Sequence, residues 1–174
     1  YTFNKIFKKY SNVNLIFIAC GLLDKSNKKK NIVSQINFIG PMNFIKKILK
    51  FKMKKLKDVM CITSVSGDRI DAELNEYSKA KKNLSIFLKD YQKYFLKKKI
   101  FLKDFKLGYI KTNMTKHILF RDLICASPSK LADYIYICLG KKNISIIYYP
   151  KIWINILKVY NIIKKINPFL RLSK

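Results

Sequence analysis

A chain of 174 residues with 49% apolar content has material for one domain and a real core. Its 37 basic against 10 acidic residues give a formal net charge of +27, which raises nucleic acid and an anionic membrane surface as partners. Only Arg69, Arg121 and Arg171 are arginine, the side chain that reads bases and phosphates bidentately, so the lysine excess argues for solvated surface and compositional bias and against nucleic acid.

Residues 1–10 have helical spacing with no N-cap ahead of them, so the sequence reads as beginning inside a helix, with an N-terminal piece expected upstream. Four short apolar runs follow, Asn14 to Cys20, Asp58 to Thr63, Ile100 to Lys106 and Asn143 to Tyr149, each stopped by Gly, Ser-Gly or Pro. Such runs suit strands covered on both faces. Between them, Asn31 to Lys54 and Ala72 to Leu96 show helical periodicity, and Ser127 with Pro128 is an N-cap and first-turn pair opening a helix towards Leu139. Strands alternating with helices predict an α/β fold, a Rossmann-type doubly wound parallel sheet with helices on both faces. The division expected is residues 1–149 as a partial Rossmann-fold catalytic domain and 150–174 as a C-terminal amphipathic helical tail.

Cysteines 20, 61, 125 and 138 show no C-x-x-C pairing, and Cys20 and Cys61 lie in apolar runs, so free thiols in a reducing cytoplasm are expected. The only histidine, His117, leaves no His-rich metal site and a Ser-His-Asp triad with one badly placed candidate. No apolar stretch reaches transmembrane length.

Ligands of open parallel sheets bind outside the carboxyl ends of the strands. That singles out Ala19-Cys20-Gly21, Thr63 to Gly67 and Leu107 to Met114. Tyr77 and Lys81 lie one helical turn apart, where an ammonium near a phenol lowers the tyrosine pKa. Spacing alone does not choose them, because Tyr1/Lys5, Tyr94/Lys98 and Tyr160/Lys164 share it. Only Tyr77 follows a strand ending in a serine-glycine turn, with Ser64 thirteen residues upstream.

With Ile62-Thr63-Ser64-Val65-Ser66-Gly67 followed by Tyr77-Ser78-Lys79-Ala80-Lys81, the chain resembles the short-chain dehydrogenases/reductases. The likeness runs from about Asn14 to Tyr149 in family order. It implies Ser64, Tyr77, Lys81 and Asn37 as the catalytic set, Asn37 holding a water that links Lys81 to solvent. It implies NAD or NADP contacts at Ala19, Cys20, Gly21, Tyr77, Lys81, Gly108, Ile110 and Thr112, the last on the carboxamide. It implies hydride transfer between a nicotinamide and a carbonyl or secondary alcohol, with Tyr77 as acid/base. Departures are Ala19-Cys20 in place of two asparagines, Leu107 in place of a proline, and no glycine-rich phosphate turn among glycines 21, 40, 67, 108 and 140. The first strands and that turn are therefore expected to lie outside this chain, which by itself is expected to be inactive.

Plainer readings stand beside these. Tyr77 could be core packing, Ser64 a strand-end turn residue, Asn37 a helix surface residue and Thr112 structural. Lys111 and Lys116 could bind an anionic substrate or simply be solvated, and His117 reads as incidental. A degenerate or truncated non-catalytic paralogue and a basic RNA-binding protein are the alternative functions. The expected setting is a bacterial cytoplasm, with a homo-oligomer and a small-molecule or lipid-linked carbonyl substrate. In the tail, Ile152, Trp153, Ile156, Leu157, Tyr160 and Ile163 fall on one helical side and Lys151, Asn155, Lys158, Asn161 and Lys165 on the other. That pattern suits either a peripheral contact with the inner membrane face or packing on the domain or a second subunit. The tail also resembles, over few residues, the Tyr-x-Pro-x-x-Trp ending of bacterial short-chain reductases of envelope glycolipid and polysaccharide synthesis.

Overall fold

The computed structural model describes residues 3–23, 30–51, 53–116, 118, 121–142 and 144–169. Its elements are α1 (Phe3–Lys9), β1 (Leu15–Ile18), α2 (Lys30–Ser34), a π-helical turn (Gln35–Ile39), α3 (Gly40–Lys50), β2 (Asp58–Ser64), α4 (Glu76–Lys97), β3 (Phe101–Leu107), α5 (Arg121–Ile124), α6 (Pro128–Cys138), β4 (Ile146–Tyr149) and α7 (Ile152–Ile166). The four strands pair in the order β1-β2-β3-β4, and every pairing is parallel. The doubly wound reading therefore holds, because each parallel step needs a helical crossover and the crossovers cover both faces.

Strand alternation sends Val59, Cys61 and Leu102 to one face, against Ile45 and Ile48 of α3 and Leu84, Leu88 and Phe95 of α4. It sends Met60, Phe105 and Ile147 to the other, against Cys138 and Tyr134 of α6. Each fully buried leucine contributes roughly 1.5–3 kcal/mol, so the α3–α4 side is the main core. All four cysteines are free thiols.

Three details depart from the sequence reading. The second long helix starts at Glu76, not Ala72, because Asn75 caps it by accepting from the Ser78 backbone N–H at 3.1 Å; residues Ala72–Leu74 form a separate 3-10 turn. The run read as apolar in β3 buries three charges, Lys103, Asp104 and Lys106. Lys103 pairs with Asp58 and also donates to the Cys138 carbonyl at 2.9 Å; Lys106 pairs with Asp68; Asp104 accepts from the Thr63 and Ser85 hydroxyls.

The third detail is the orientation of α7. Trp153, Leu157 and Tyr160 turn towards the domain, not outward with Ile152, Ile156 and Ile163, and Asn161 joins the inner face. The cause is polar. Arg69 forks onto Asp71 (3.0 and 2.9 Å), Tyr160 donates to Asp71 at 2.8 Å, and Asn161 bridges the Ile70 N–H (2.8 Å) and the Asp68 carbonyl (3.1 Å). Among the described residues no helix is long and apolar enough to cross a membrane.

Candidate active site

The carboxyl ends of β1, β2 and β3 share one edge of the sheet. Ser64 is the last residue of β2, half-buried, and its Oγ accepts from the Ser66 N–H at 3.2 Å and the Ser66 hydroxyl at 2.9 Å. Those bonds close a 3-10 turn, Val65–Asp68. Gly67 sits in that turn against the α4 backbone: a Cβ there would lie 2.8 Å from Lys82 N. Only glycine permits this approach, and it brings the Ser64 turn against the helix that carries Tyr77 and Lys81.

Lys81 is 1% exposed, and its Nζ donates to the Cys20 carbonyl at 2.9 Å and the Ile62 carbonyl at 3.1 Å. An ammonium carries three N–H groups, so two are occupied by the ends of β1 and β2. Burial pushes the Lys81 pKa down, opposed by Cys61, Cys20 and Asp104. Its Nζ lies 5.9 Å from the Tyr77 ring centroid. Burial also pushes the Tyr77 phenol up; the Ser64 side chain, within hydrogen-bonding reach, pulls it down and Tyr109 adds to the rise. The sequence expectation of a lowered Tyr77 pKa is thus corrected: desolvation outweighs its neighbours, and the lysine is engaged with backbone carbonyls instead.

Asn37 is fully buried inside the π-helical turn. Its amide donates to the Leu22 and Val33 carbonyls (2.8 and 2.9 Å) and accepts from the Leu22 N–H at 3.2 Å, clamping the segment after β1 to the helix. It is not a surface residue. Gly21 lies beside it: a Cβ there would fall 3.5 Å from Asn37 Oδ1 and 3.8 Å from Lys81 Nζ. Ser64, Tyr77, Lys81, Asn37, Cys20 and Gly21 therefore form one group, with Ala19 exposed at its rim. Single-turn π insertions of this kind recur at functional sites.

The segment after β3 forms the other wall. Ile110 is buried and bridges Ala126 in parallel pairing. Thr112 is exposed and opens a 3-10 turn, Asn113–Thr115. The buried Thr115, which the sequence reading passed over, does the ordering: its Oγ1 donates to the Ile110 carbonyl at 2.6 Å and accepts from the Thr112 N–H at 3.0 Å. Lys111 pairs with Asp122 at 2.7 Å, an exposed pair worth under about 1 kcal/mol. His117 lies outside the described residues. Gly108 is covered by Trp153, whose indole stacks edge-on with Tyr109 at 4.8 Å. The buried Trp153 Nε1 has no partner among the described residues. Nothing in the local sequence around Gly108 signals a residue 45 positions downstream.

A parallel sheet with helices on both faces, whose carboxyl end gathers a serine, a tyrosine and a buried lysine, defines a Rossmann-type α/β domain. The model of the short chain dehydrogenase family matches residues 1–121, and the chain belongs to that family. Among solved structures it is similar to a short chain dehydrogenase from Burkholderia cenocepacia in complex with NADP (11% identity, 97% of this chain and 73% of that one, TM-score 0.75). It is also similar to a short-chain dehydrogenase from Streptomyces avermitilis (15%, 94% and 70%, 0.72) and to a 3-oxoacyl-[acyl-carrier protein] reductase from Brucella melitensis in complex with NAD (16%, 83% and 68%, 0.68). At such identities these likenesses concern the fold. No curated protein matches the chain by sequence.

The residues present fit the nicotinamide-ribose end of a dinucleotide. Gly21 leaves the rim beside Lys81 and Asn37 without a side chain, and Lys81 has an N–H beyond those given to the two carbonyls. The described glycines offer no cradle for a pyrophosphate.

Proposed function

We propose that the protein transfers hydride between a nicotinamide cofactor, NAD or NADP, and a carbonyl/secondary-alcohol pair on a small or lipid-linked substrate. The observation that carries this is the convergence of Ser64, Tyr77 and Lys81 at one sheet edge, with Lys81 held by the Cys20 and Ile62 carbonyls. When bound, the nicotinamide supplies the hydride. Tyr77 keeps its proton at neutral pH, since burial pushes its pKa up, and gives it to the substrate oxygen as negative charge develops there. Ser64 donates a hydrogen bond to the same oxygen and orients it. Lys81, held by two backbone carbonyls, would give its remaining N–H to a ribose hydroxyl of the cofactor. Cys20 and Ile62 hold the ammonium; Asn37 holds the β1 end that carries Cys20.

Tyr77→Phe tests the reading. With a panel of ketones and aldehydes, turnover of the full-length protein followed by NAD(P)H absorbance should fall to background, while cofactor binding persists. Unchanged turnover in that variant rules Tyr77 out as the proton donor.

A further inference from the structure

The inner face of α7 is used by the domain, yet the helix remains apolar on a second side. Ile152, Ile156, Val159, Ile163 and Ile166 are all exposed, Ile166 at 80%, and Phe169 beyond the helix is 91% exposed. At 100° per residue these five isoleucine and valine positions fall within an 80° stripe, well to one side of Trp153, Leu157 and Tyr160. A 15-residue helix makes that stripe about 22 Å long. The Arg69–Asp71–Tyr160 cluster and Asn161 anchor the helix, so the stripe is presented on a rigid support. Lys151, Lys158 and Lys165 lie along the far flank of the stripe, and all three are exposed.

Charge selects the occupant. No acidic residue follows Asp133, whereas Lys141, Lys142, Lys151, Lys158 and Lys165 do, all of them exposed. A second copy paired through this stripe would set Lys151, Lys158 and Lys165 of one chain beside those of the other, and like charge there opposes that pairing. An anionic lipid surface offers the opposite sign to the lysines and an apolar layer to the isoleucines.

We propose that the protein docks on anionic membranes through the outward stripe of α7, lying in the interface and not crossing it. The apolar contact is thus the Ile152–Ile156–Val159–Ile163–Ile166 side. Trp153 and Tyr160 stay on the domain. The proposal stands independently of the oxidoreductase reading, since it uses none of the sheet-edge residues.

Co-sedimentation with vesicles of phosphatidylcholine alone, and of phosphatidylcholine mixed with phosphatidylglycerol, tests it on the whole chain. The chain should pellet with the mixed vesicles only, and added salt should weaken binding without abolishing it. Val159→Asp with Ile163→Asp should lower vesicle affinity by roughly tenfold or more at an unchanged melting temperature, because both side chains are exposed. Failure to pellet with the mixed vesicles overturns the proposal. So does equal pelleting of the double variant, which would reduce the effect to adsorption by net charge. A concentration-dependent dimer in light scattering that the double variant dissociates would give the stripe to a second copy, and also overturns it.

Discussion

The Gly108 backbone lies against the indole of Trp153 so closely that a Cβ on residue 108 would sit 2.1 Å from both Cδ1 and Nε1. The pair joins the segment after β3 to α7. Gly108→Ala should force the indole out and destabilise the fold by about 1–3 kcal/mol. Trp153 is the single tryptophan, so its emission reports the event directly. A red shift with a lowered melting temperature is expected. Adding Trp153→Ala to Gly108→Ala should cost less than the sum of the two single changes, and strict additivity would argue against the contact.

Gly67→Ala probes the other close approach. Its Cβ would meet the Lys82 N at 2.8 Å and Cα at 3.0 Å, backbone atoms that no rotamer change can move. The turn must then separate from α4, at roughly 1–3 kcal/mol in thermal or urea melts. Because Ser64 leads that turn and Tyr77 rides on that helix, turnover of the full-length protein, at a temperature where the variant is folded, should fall as well. A variant equal to wild type in both readouts would contradict the packing.

Asp104 should make stability fall as pH rises. Burial pushes its pKa up; the Ser85 and Thr63 hydroxyls and Lys106 oppose that, and Asp68 adds to it. A carboxyl raised in the folded state binds its proton more tightly there than in the unfolded chain. Its contribution is full below the unfolded value of about 3.9 and is lost as pH climbs through the folded one. Asp104→Asn should flatten that descent, with a melting temperature at neutral pH no lower than wild type. A steeper descent in the variant would reverse the sign of the assignment.

Asp71 acts oppositely. Burial alone would raise its pKa, but hydrogen bonds from Arg69 and Tyr160 hold it below the usual carboxylate range. Its stabilisation is full above the unfolded value and lost as pH falls through the folded one. Acid should therefore loosen α7, seen as a red shift of Trp153 emission. Tyr160→Phe, removing one hydrogen bond to Asp71, should cost about 0.5–1.5 kcal/mol and move that acid transition to higher pH. An acid transition insensitive to Tyr160→Phe would place the loosening elsewhere.

Much of the frame is legible in the sequence because two periodicities alternate cleanly. β2 and β3 lie within a residue of their apolar runs, and Ser127-Pro128 starts α6 as its capping chemistry requires, with the Lys130 N–H bound to Ser127 Oγ at 3.2 Å. Ser64, Tyr77, Lys81 and Asn37 are singled out as candidates by family spacing, since Tyr-x-x-x-Lys alone recurs too often in so lysine-rich a chain. What escapes is long-range. α7 is apolar around most of its circumference, so periodicity offers two faces, and the choice is made by Arg69, Asp71 and Asp68 some 90 residues upstream. The Tyr77 pKa follows from how much protein surrounds the phenol, which spacing does not encode. The charges of β3 hide for the same reason: a buried lysine and a solvated one look alike until the partner is known.

Those charges also bear on how the chain finds its register. β3 lies between two neighbours, and its Lys103, Asp104 and Lys106 meet Asp58, the Thr63–Ser85 pair and Asp68, partners drawn from different elements. Sliding the strand by one residue would turn every side chain to the opposite face and strand ammonium and carboxylate groups in the core without counterparts. An uncompensated buried charge costs several kcal/mol, far more than a misplaced valine. With lysine so abundant along the chain, mismatched alignments are plentiful, and β3 acts as a lock with three wards that only the native alignment turns.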